Sequence, residues 1–185
     1  MLDDSVKTAE GRMRKAVEHL RQELQAIRTG RASPSLLDHV RVDYYGTPTP
    51  VNAVATITAP EPRMIVIQPW DKSMLGVIEK ALLKSDLGLN PTNDGQVLRL
   101  VLPQLTEERR RDLVKQVHHR AEEARVAVRN IRRDAMDHIK KLDREHQVQS
   151  EEAHRTQEKL EKLTAQQIQQ IDEASKKKEA EVMEV

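Results

Sequence analysis

The feature that most constrains this chain is a helical apolar repeat, which is interrupted once between residues 30 and 104 and then resumes. Apolar side chains recur at steps of three and four over residues 1–28, over 106–145 and again from 150 onward. This spacing places them along one side of a helix. Amphipathic helices of this kind need partners for their apolar sides. The three stripes predict a long antiparallel three-helix bundle.

The intervening residues, 31–103, differ in composition from the predicted helices on either side. They contain all eight prolines of the chain and short runs in which apolar and polar residues alternate, as in half-buried strands. These runs predict strands at 40–45, 53–58, 64–67 and 97–102, with a helix at 74–82 between the third strand and the fourth. We therefore expect an α+β protein with two domains. Residues 1–29 and 105–185 form the bundle, and a β/α/β sandwich domain, residues 31–103, is inserted into it.

The chain crosses between these two predicted domains twice. Gly30 follows the first helix, and glycine ends helices readily because it adopts the left-handed conformation without strain. Pro103 lies between the last predicted strand and the second long helix. Two crossings permit bending but restrict twisting and separation, so the sequence predicts a hinge near residues 30 and 104, formed by Thr29, Gly30, Pro103 and Gln104.

Several classes of protein are disfavoured by what the sequence lacks. Cysteine is absent, which excludes disulfides, thiolate metal ligands and cysteine nucleophiles. There is no apolar stretch of signal-peptide type or of the ~18 residues that a membrane span needs. His118 and Glu122 lie one helical turn apart, but no third metal ligand is apparent, and there is no glycine-rich phosphate loop. We expect a cytoplasmic protein with no catalytic residue, no metal and no cofactor.

Basic residues are concentrated on one side of the helix predicted at 106–145. Residues 105–145 hold twelve basic and nine acidic residues. At about 100° per residue, one sector that borders the apolar stripe contains four arginines, with Glu122 as the only clear acid. Like charges one turn apart repel each other. We name these residues the arginine cluster: Arg125, Arg129, Arg132 and Arg133.

Guanidinium groups match the geometry of phosphate oxygens, so we interpret the arginine cluster as a surface that binds the RNA backbone. Arg28 and Arg31, beside the predicted hinge, could extend it. Stacking aromatics are missing from this surface, which favours recognition of folded RNA by shape and phosphate.

Three alternatives remain open from the residues alone. A basic stripe is commonly just a solvated helical face, although such a face usually mixes both signs of charge. The chain could also be a coiled-coil adaptor that binds proteins rather than RNA. Finally, it could be an enzyme such as a hydrolase with its site in the inserted domain.

Five blocks of sequence resemble the ribosome recycling factor family. The run Ile-Arg-Thr-Gly-Arg-Ala-Ser-Pro at residues 27–34 is similar to the hinge signature of that family. Further blocks are Tyr-Tyr-Gly-Thr-Pro at 44–48, Ser-Asp-Leu-Gly-Leu-Asn-Pro at 85–91, Leu-Thr-Glu-Glu-Arg-Arg at 105–110 and the arginine-rich run at 125–135. The resemblance extends along the chain without an evident gap.

The resemblance implies an L-shaped monomer with an outline similar to transfer RNA. It implies binding to the 70S ribosome after termination, at the A and P sites of the large 50S subunit. With elongation factor G and GTP, such a factor splits the complex and releases it from messenger RNA, without being an enzyme or touching a membrane. Family contacts to ribosomal RNA carry over to Arg129, Arg132 and Arg133, with Arg28 and Arg31 near the hinge.

Overall fold

The structure, a computed structural model, describes residues 1–184 and divides into two compact units. One unit comprises Met1–Thr29 and the chain from Glu107 onward, and the other comprises Gly30–Thr106. The described residues form long helices in the first unit and a mixed sheet and helix unit in the second, so the α+β fold class is confirmed. The α-helices are α1 (Leu2–Ala26), α2 (Leu75–Lys84), α3 (Glu107–Arg144) and α4 (Ser150–Met183).

Helices α1, α3 and α4 form the first unit, and each packs against the other two. Ion pairs join Arg12 to Asp134 and Arg120 to Glu23, so α1 and α3 run in opposite directions. The short turn that joins α3 to α4 makes these two helices antiparallel as well. None of the helices within residues 1–184 has a stretch that is long and apolar enough to cross a membrane. The core consists of the stripes that periodicity predicts, including Met13, Leu20, Ile139, Leu160 and Ile171.

Part of the buried side of α4 is polar, which explains why its apolar repeat is the least regular of the three. Thr164, Gln167 and Ser175 are 4%, 5% and 5% exposed. The Thr164 hydroxyl donates to the Leu160 carbonyl at 2.8 Å, whereas Gln167 Oε1 has no hydrogen-bond partner within residues 1–184. Polar residues thus occupy core positions that a hydrophobic pattern alone does not identify.

The ends of the helices differ from the predicted ends by one or two residues, as helix ends commonly do. The first helix was expected to reach residue 28, but it ends at Ala26 because Ile27 adopts an extended backbone with ψ of 115°. The second long helix starts at Glu107 and ends at Arg144.

The second unit contains two antiparallel sheets. Strands β1 and β2 form a hairpin, and the other four form a sheet in the order β3-β4-β6-β5. Helix α2 and the four-stranded sheet contribute to one core, in which Ile65, Ile67, Ile78, Leu98 and Leu100 are each 0% exposed. The strands are β1 (Arg41–Tyr44), β2 (Thr47–Pro50), β3 (Ala55–Glu61), β4 (Met64–Pro69), β5 (Thr92–Asn93) and β6 (Leu98–Val101).

Two of these strands were not predicted. Strand β2 has the sequence Thr-Pro-Thr-Pro, and proline is normally a signal against a strand because it cannot donate a backbone hydrogen bond. It can form here because β2 pairs with β1 alone, so that one side of the strand needs no partner. Thr92 and Asn93 form the edge strand β5, although asparagine is more typical of turns, and Gly95 just after them has a positive φ of 87°.

Candidate nucleic-acid interface

Helix α3 carries the arginine cluster beside its buried stripe, and Arg125 is the most enclosed member. Its Nε donates to Asp172 Oδ1 at 2.9 Å, and its Nη2 lies 2.7 Å from the same oxygen. Its Nη1 donates to Glu122 Oε2 at 3.1 Å. The side chain is only 23% exposed. Arg125 is therefore held in place by acids from α3 and α4.

The contacts of Arg125 and Glu122 determine the charge states of these two side chains. Partial burial by itself lowers the pKa of Arg125, but the hydrogen bonds to Asp172 and Glu122 outweigh it, so that the net change raises the pKa. Hydrogen bonds from Arg125 and then Arg129 lower the pKa of Glu122. Both partners therefore keep their charges at neutral pH.

Arg129 and Arg132 also meet carboxylates, but they are more exposed than Arg125. Arg129 Nη1 donates to Glu122 Oε1 at 3.2 Å, and the two side chains are 50% and 53% exposed. Arg132 Nη1 lies 3.3 Å from Glu161 Oε2 on α4. The Nε atom of Arg132 is buried and has no hydrogen-bond partner within residues 1–184. The Arg132 guanidinium is thus less completely satisfied in this position than that of Arg125.

Arg133 is the cluster member that is not held by a carboxylate. Its side chain is exposed and forms no ion pair or hydrogen bond with any of residues 1–184. Lys115 and Lys140 fall in the same sector of α3 and are exposed in the same way. These three cations are available to an external anion without displacing an internal partner.

Glu122 is the acid of α3 that contacts the arginine cluster, but a second helix contributes acids that the sequence analysis did not identify. Asp172 and Glu161, both on α4, lie against Arg125 and Arg132. Three of the four arginines therefore face carboxylates, and the four arginines and three carboxylates together carry a net charge of +1. A helical projection of α3 alone could not reveal this, because two of the acids come from the neighbouring helix.

Of the predicted hinge residues, Thr29 and Gly30 lie at the first boundary between the units, whereas Pro103 and Gln104 lie within the second unit, shortly before it ends at Thr106. Arg28 is exposed and belongs to the first unit, whereas Arg31 is exposed and belongs to the second. Gly30 has a φ of +75°, and a Cβ atom added to it would lie 3.1 Å from Leu105 Cγ.

Backbone hydrogen bonds tie both crossings to the turn between β3 and β4. The Ala32 N–H donates to the Pro62 carbonyl at 2.6 Å, and the Leu102 N–H donates to the Arg63 carbonyl at 2.8 Å. The two passages of the chain therefore leave the second unit from adjacent points.

The residues considered for metal binding and catalysis are engaged elsewhere. His118 Nε2 lies 3.2 Å from Glu179 Oε2 on α4. Within residues 1–184, no three His, Asp or Glu side chains are grouped closely enough to hold a metal ion. A cleft of about 680 Å³ in the second unit is lined by residues that include His39 and Ser85. The Ser85 hydroxyl donates to the Leu82 carbonyl at 2.6 Å instead of to a base.

Comparison with known proteins identifies the family. The sequence model of the family described as "Ribosome recycling factor" matches residues 20–183. The chain belongs to the ribosome recycling factor family. It is 57% identical to the ribosome-recycling factor of Heliobacterium modesticaldum over 185 residues, which is 100% of both chains. It is 55% identical to that of Carboxydothermus hydrogenoformans, again over 100% of both.

Solved structures of ribosome recycling factors have the same fold. A solution structure of a ribosome recycling factor aligns with a TM-score of 0.76 and 45% identity, covering 100% of this chain and 98% of the other. Models of the T. thermophilus ribosome recycling factor, bound with E. coli elongation factor G to the E. coli post-termination complex, provide a second match. That match has a TM-score of 0.64 and 46% identity over 100% of both chains.

Proposed function

We propose that this chain recycles ribosomes after termination. It binds the post-termination 70S ribosome at the A and P sites of the 50S subunit and, with elongation factor G and GTP, separates the subunits and releases messenger RNA. The observation that carries this proposal is the identity of more than half to ribosome recycling factors over the full length of both chains. A related factor together with elongation factor G on a post-termination complex supports the choice of partners. This family is non-enzymatic, and its action on ribosomes supports a cytoplasmic location.

The exposed side of α3 provides the contact to ribosomal RNA. Arg133 is free to bind phosphate, and Arg129 and Arg132 are exposed enough to exchange a carboxylate for one. Arg125 has its donors engaged by Asp172 and Glu122, so its part is to position the cluster. Arg28 and Arg31 extend the surface along the backbone near the chain crossings.

The interface can be tested by removing single charges and measuring the binding of large ribosomal subunits. Arg133→Gln should weaken binding by about ten- to 150-fold, the range for losing a charge-assisted hydrogen bond. The dependence of affinity on salt should also become shallower, since fewer counterions are released. The matched control is Arg155→Gln, which removes an exposed arginine of α4 that pairs with Glu151 and should bind as the unaltered chain does.

Two outcomes would contradict the proposed interface. If Arg133→Gln and Arg129→Gln both bound large subunits with unchanged affinity and salt dependence, the arginine cluster would not contact RNA. If affinity hardly changed with salt, a protein-binding adaptor would describe the chain better. Splitting of terminated ribosomes, followed by sedimentation with and without elongation factor G and GTP, tests the overall function directly.

The hinge is part of the same proposal. Thr29, Gly30, Pro103 and Gln104 let the bundle and the inserted domain bend relative to each other while the bundle remains bound to RNA. The hydrogen bonds of Ala32 and Leu102 to adjacent carbonyls support this, because two chain passages that start side by side define a common axis. Energy for the movement comes from GTP hydrolysis by elongation factor G.

A further inference from the structure

The arginine cluster faces nearly as many carboxylates as it has guanidinium groups. Asp172, Glu122 and Glu161 together leave a net charge of only +1. An RNA phosphate that approaches Arg129 or Arg132 therefore meets negative charge at the same place. A surface selected only for tight binding to a polyanion would not be expected to neutralise its own cations in this way.

The three carboxylates have different surroundings. Asp172 accepts from Nε of Arg125, the least exposed arginine of the cluster, and lies 2.7 Å from its Nη2, which is the arrangement of a structural ion pair. Glu161 meets Arg132 at the longer distance of 3.3 Å. Glu122 lies on α3 itself and is 53% exposed; its Oε2 accepts from Arg125 and its Oε1 accepts from Arg129. It is thus the acid that occupies a phosphate-binding position at Arg129.

Building on the proposed contact between α3 and RNA, we infer that Glu122 competes with RNA phosphate for Arg129 and thereby weakens the binding of this chain to ribosomal RNA. An exposed ion pair such as Glu122–Arg129 is weak, so phosphate can displace the carboxylate. The displaced carboxylate remains on the helix within about two turns of Arg125 and Arg129, and it repels the phosphate that replaced it. The bound factor consequently dissociates faster than its four arginines alone would allow, which suits a factor that acts on many ribosomes in turn.

The test compares two substitutions that change the net charge equally at adjacent positions. Glu122→Gln removes the competing charge and keeps the size of the side chain. Glu123→Gln is the control, because Glu123 pairs with His119 at 2.8 Å and with Arg120 at 3.5 Å, away from the arginine cluster. Binding and dissociation are measured with the full chain and purified large ribosomal subunits at several salt concentrations.

Glu122→Gln should bind about two- to tenfold more tightly than the unaltered chain, as expected when a weak exposed ion pair no longer opposes binding. The gain should appear as slower dissociation and a steeper dependence on salt. Glu123→Gln should stay within about twofold of the unaltered chain. Combining Glu122→Gln with Arg129→Gln should abolish most of the gain, since the competition takes place at Arg129.

Each other outcome has a definite meaning. Unchanged binding by Glu122→Gln, or a gain no larger than that of Glu123→Gln, would show that Glu122 does not compete with phosphate. Weaker binding would show that Glu122 orients Arg129 for RNA, and both results would overturn the inference. Glu122→Ala should change the affinity in the same direction as Glu122→Gln. Since alanine has no amide, this agreement excludes an effect of the amide that glutamine introduces. Failure of the proposed function itself is recognised separately, because Arg129→Gln and Arg133→Gln would then bind normally.

Discussion

Gly30 provides the sharpest test of how the structure holds the crossing between the two units. Its φ of +75° lies in the left-handed region, and an added Cβ would approach Leu105 Cγ to 3.1 Å. Alanine pays about 1–2 kcal/mol in the left-handed conformation. Leu105 is half-buried and can move by the few tenths of an ångström that the new methyl needs. We therefore expect Gly30→Ala to destabilise the second unit by about 1–2 kcal/mol, mainly through the backbone.

Urea unfolding, monitored by tryptophan emission, measures the change in the free energy of unfolding of the second unit. Trp70 is the only tryptophan of the chain, and its indole N–H donates to Thr56 within the second unit at 2.9 Å. The control is Gly11→Ala on α1, where no atom lies within 4 Å of the new Cβ. It should stabilise the bundle by about 0.5–1 kcal/mol, because glycine is unfavourable inside a helix, and it should leave the Trp70 transition unchanged.

Two further variants, Gly30→Asn and Leu105→Ala, distinguish the cost of the left-handed backbone from the cost of the close approach to Leu105. Asparagine tolerates the left-handed conformation better than alanine does but carries the same Cβ. If the backbone conformation is limiting, Gly30→Asn should cost less than Gly30→Ala. If the approach to Leu105 is limiting, both should cost the same, and Leu105→Ala should restore stability to either. A Gly30→Ala chain as stable as the unaltered one would refute the assigned conformation at this crossing.

The Gly30→Ala variant also tests the proposed hinge, under conditions in which the variant remains folded. A more restricted backbone at residue 30 should leave the binding of large subunits near normal, because the arginine cluster is unaffected. Splitting of terminated ribosomes with elongation factor G and GTP should be slower. Equal splitting rates for Gly30→Ala and Gly11→Ala would count against bending at this position.

Two other predictions concern stability. Gln167→Met should stabilise the bundle by about 1 kcal/mol in urea unfolding followed by far-UV circular dichroism, since it removes a buried amide oxygen without a partner; a loss of stability would indicate that this amide is satisfied. Hydrogen bonds from the backbone N–H groups of Val97 and Gln96, followed by that from Arg99, lower the pKa of Asp94 from its ordinary value of 3.8 to about 2. Because the folded pKa is the lower one, the contribution of Asp94 is complete above about pH 4 and is lost towards pH 2. The stability difference between the unaltered chain and Asp94→Asn should shrink over that window, and a constant difference would contradict the assignment.

The helices were predictable because their burial follows directly from residue spacing. On α3, Leu113, Val117, Val128 and Ile139 are all buried as the repeat requires. Where buried positions hold polar residues, the apolar repeat does not identify them. The polar residues on the inner side of α4 are accommodated by a local hydrogen bond in the case of Thr164, and strand β2 contains prolines that only an unpaired strand edge can accept.

The electrostatic character of the candidate site could not be predicted from α3 alone, and the reason is physical. Projection of one helix gives the angular order of its own side chains, but which residues of α4 stand opposite depends on how the two helices are aligned along their length. That alignment brings Asp172 to Arg125 and Glu161 to Arg132, and it converts an apparently uncompensated basic stripe into a nearly balanced one. Under the proposed interface, the affinity of the α3 surface for RNA is therefore a joint property of two helices, so replacing Asp172 or Glu161 should alter RNA binding even where α4 itself touches no RNA.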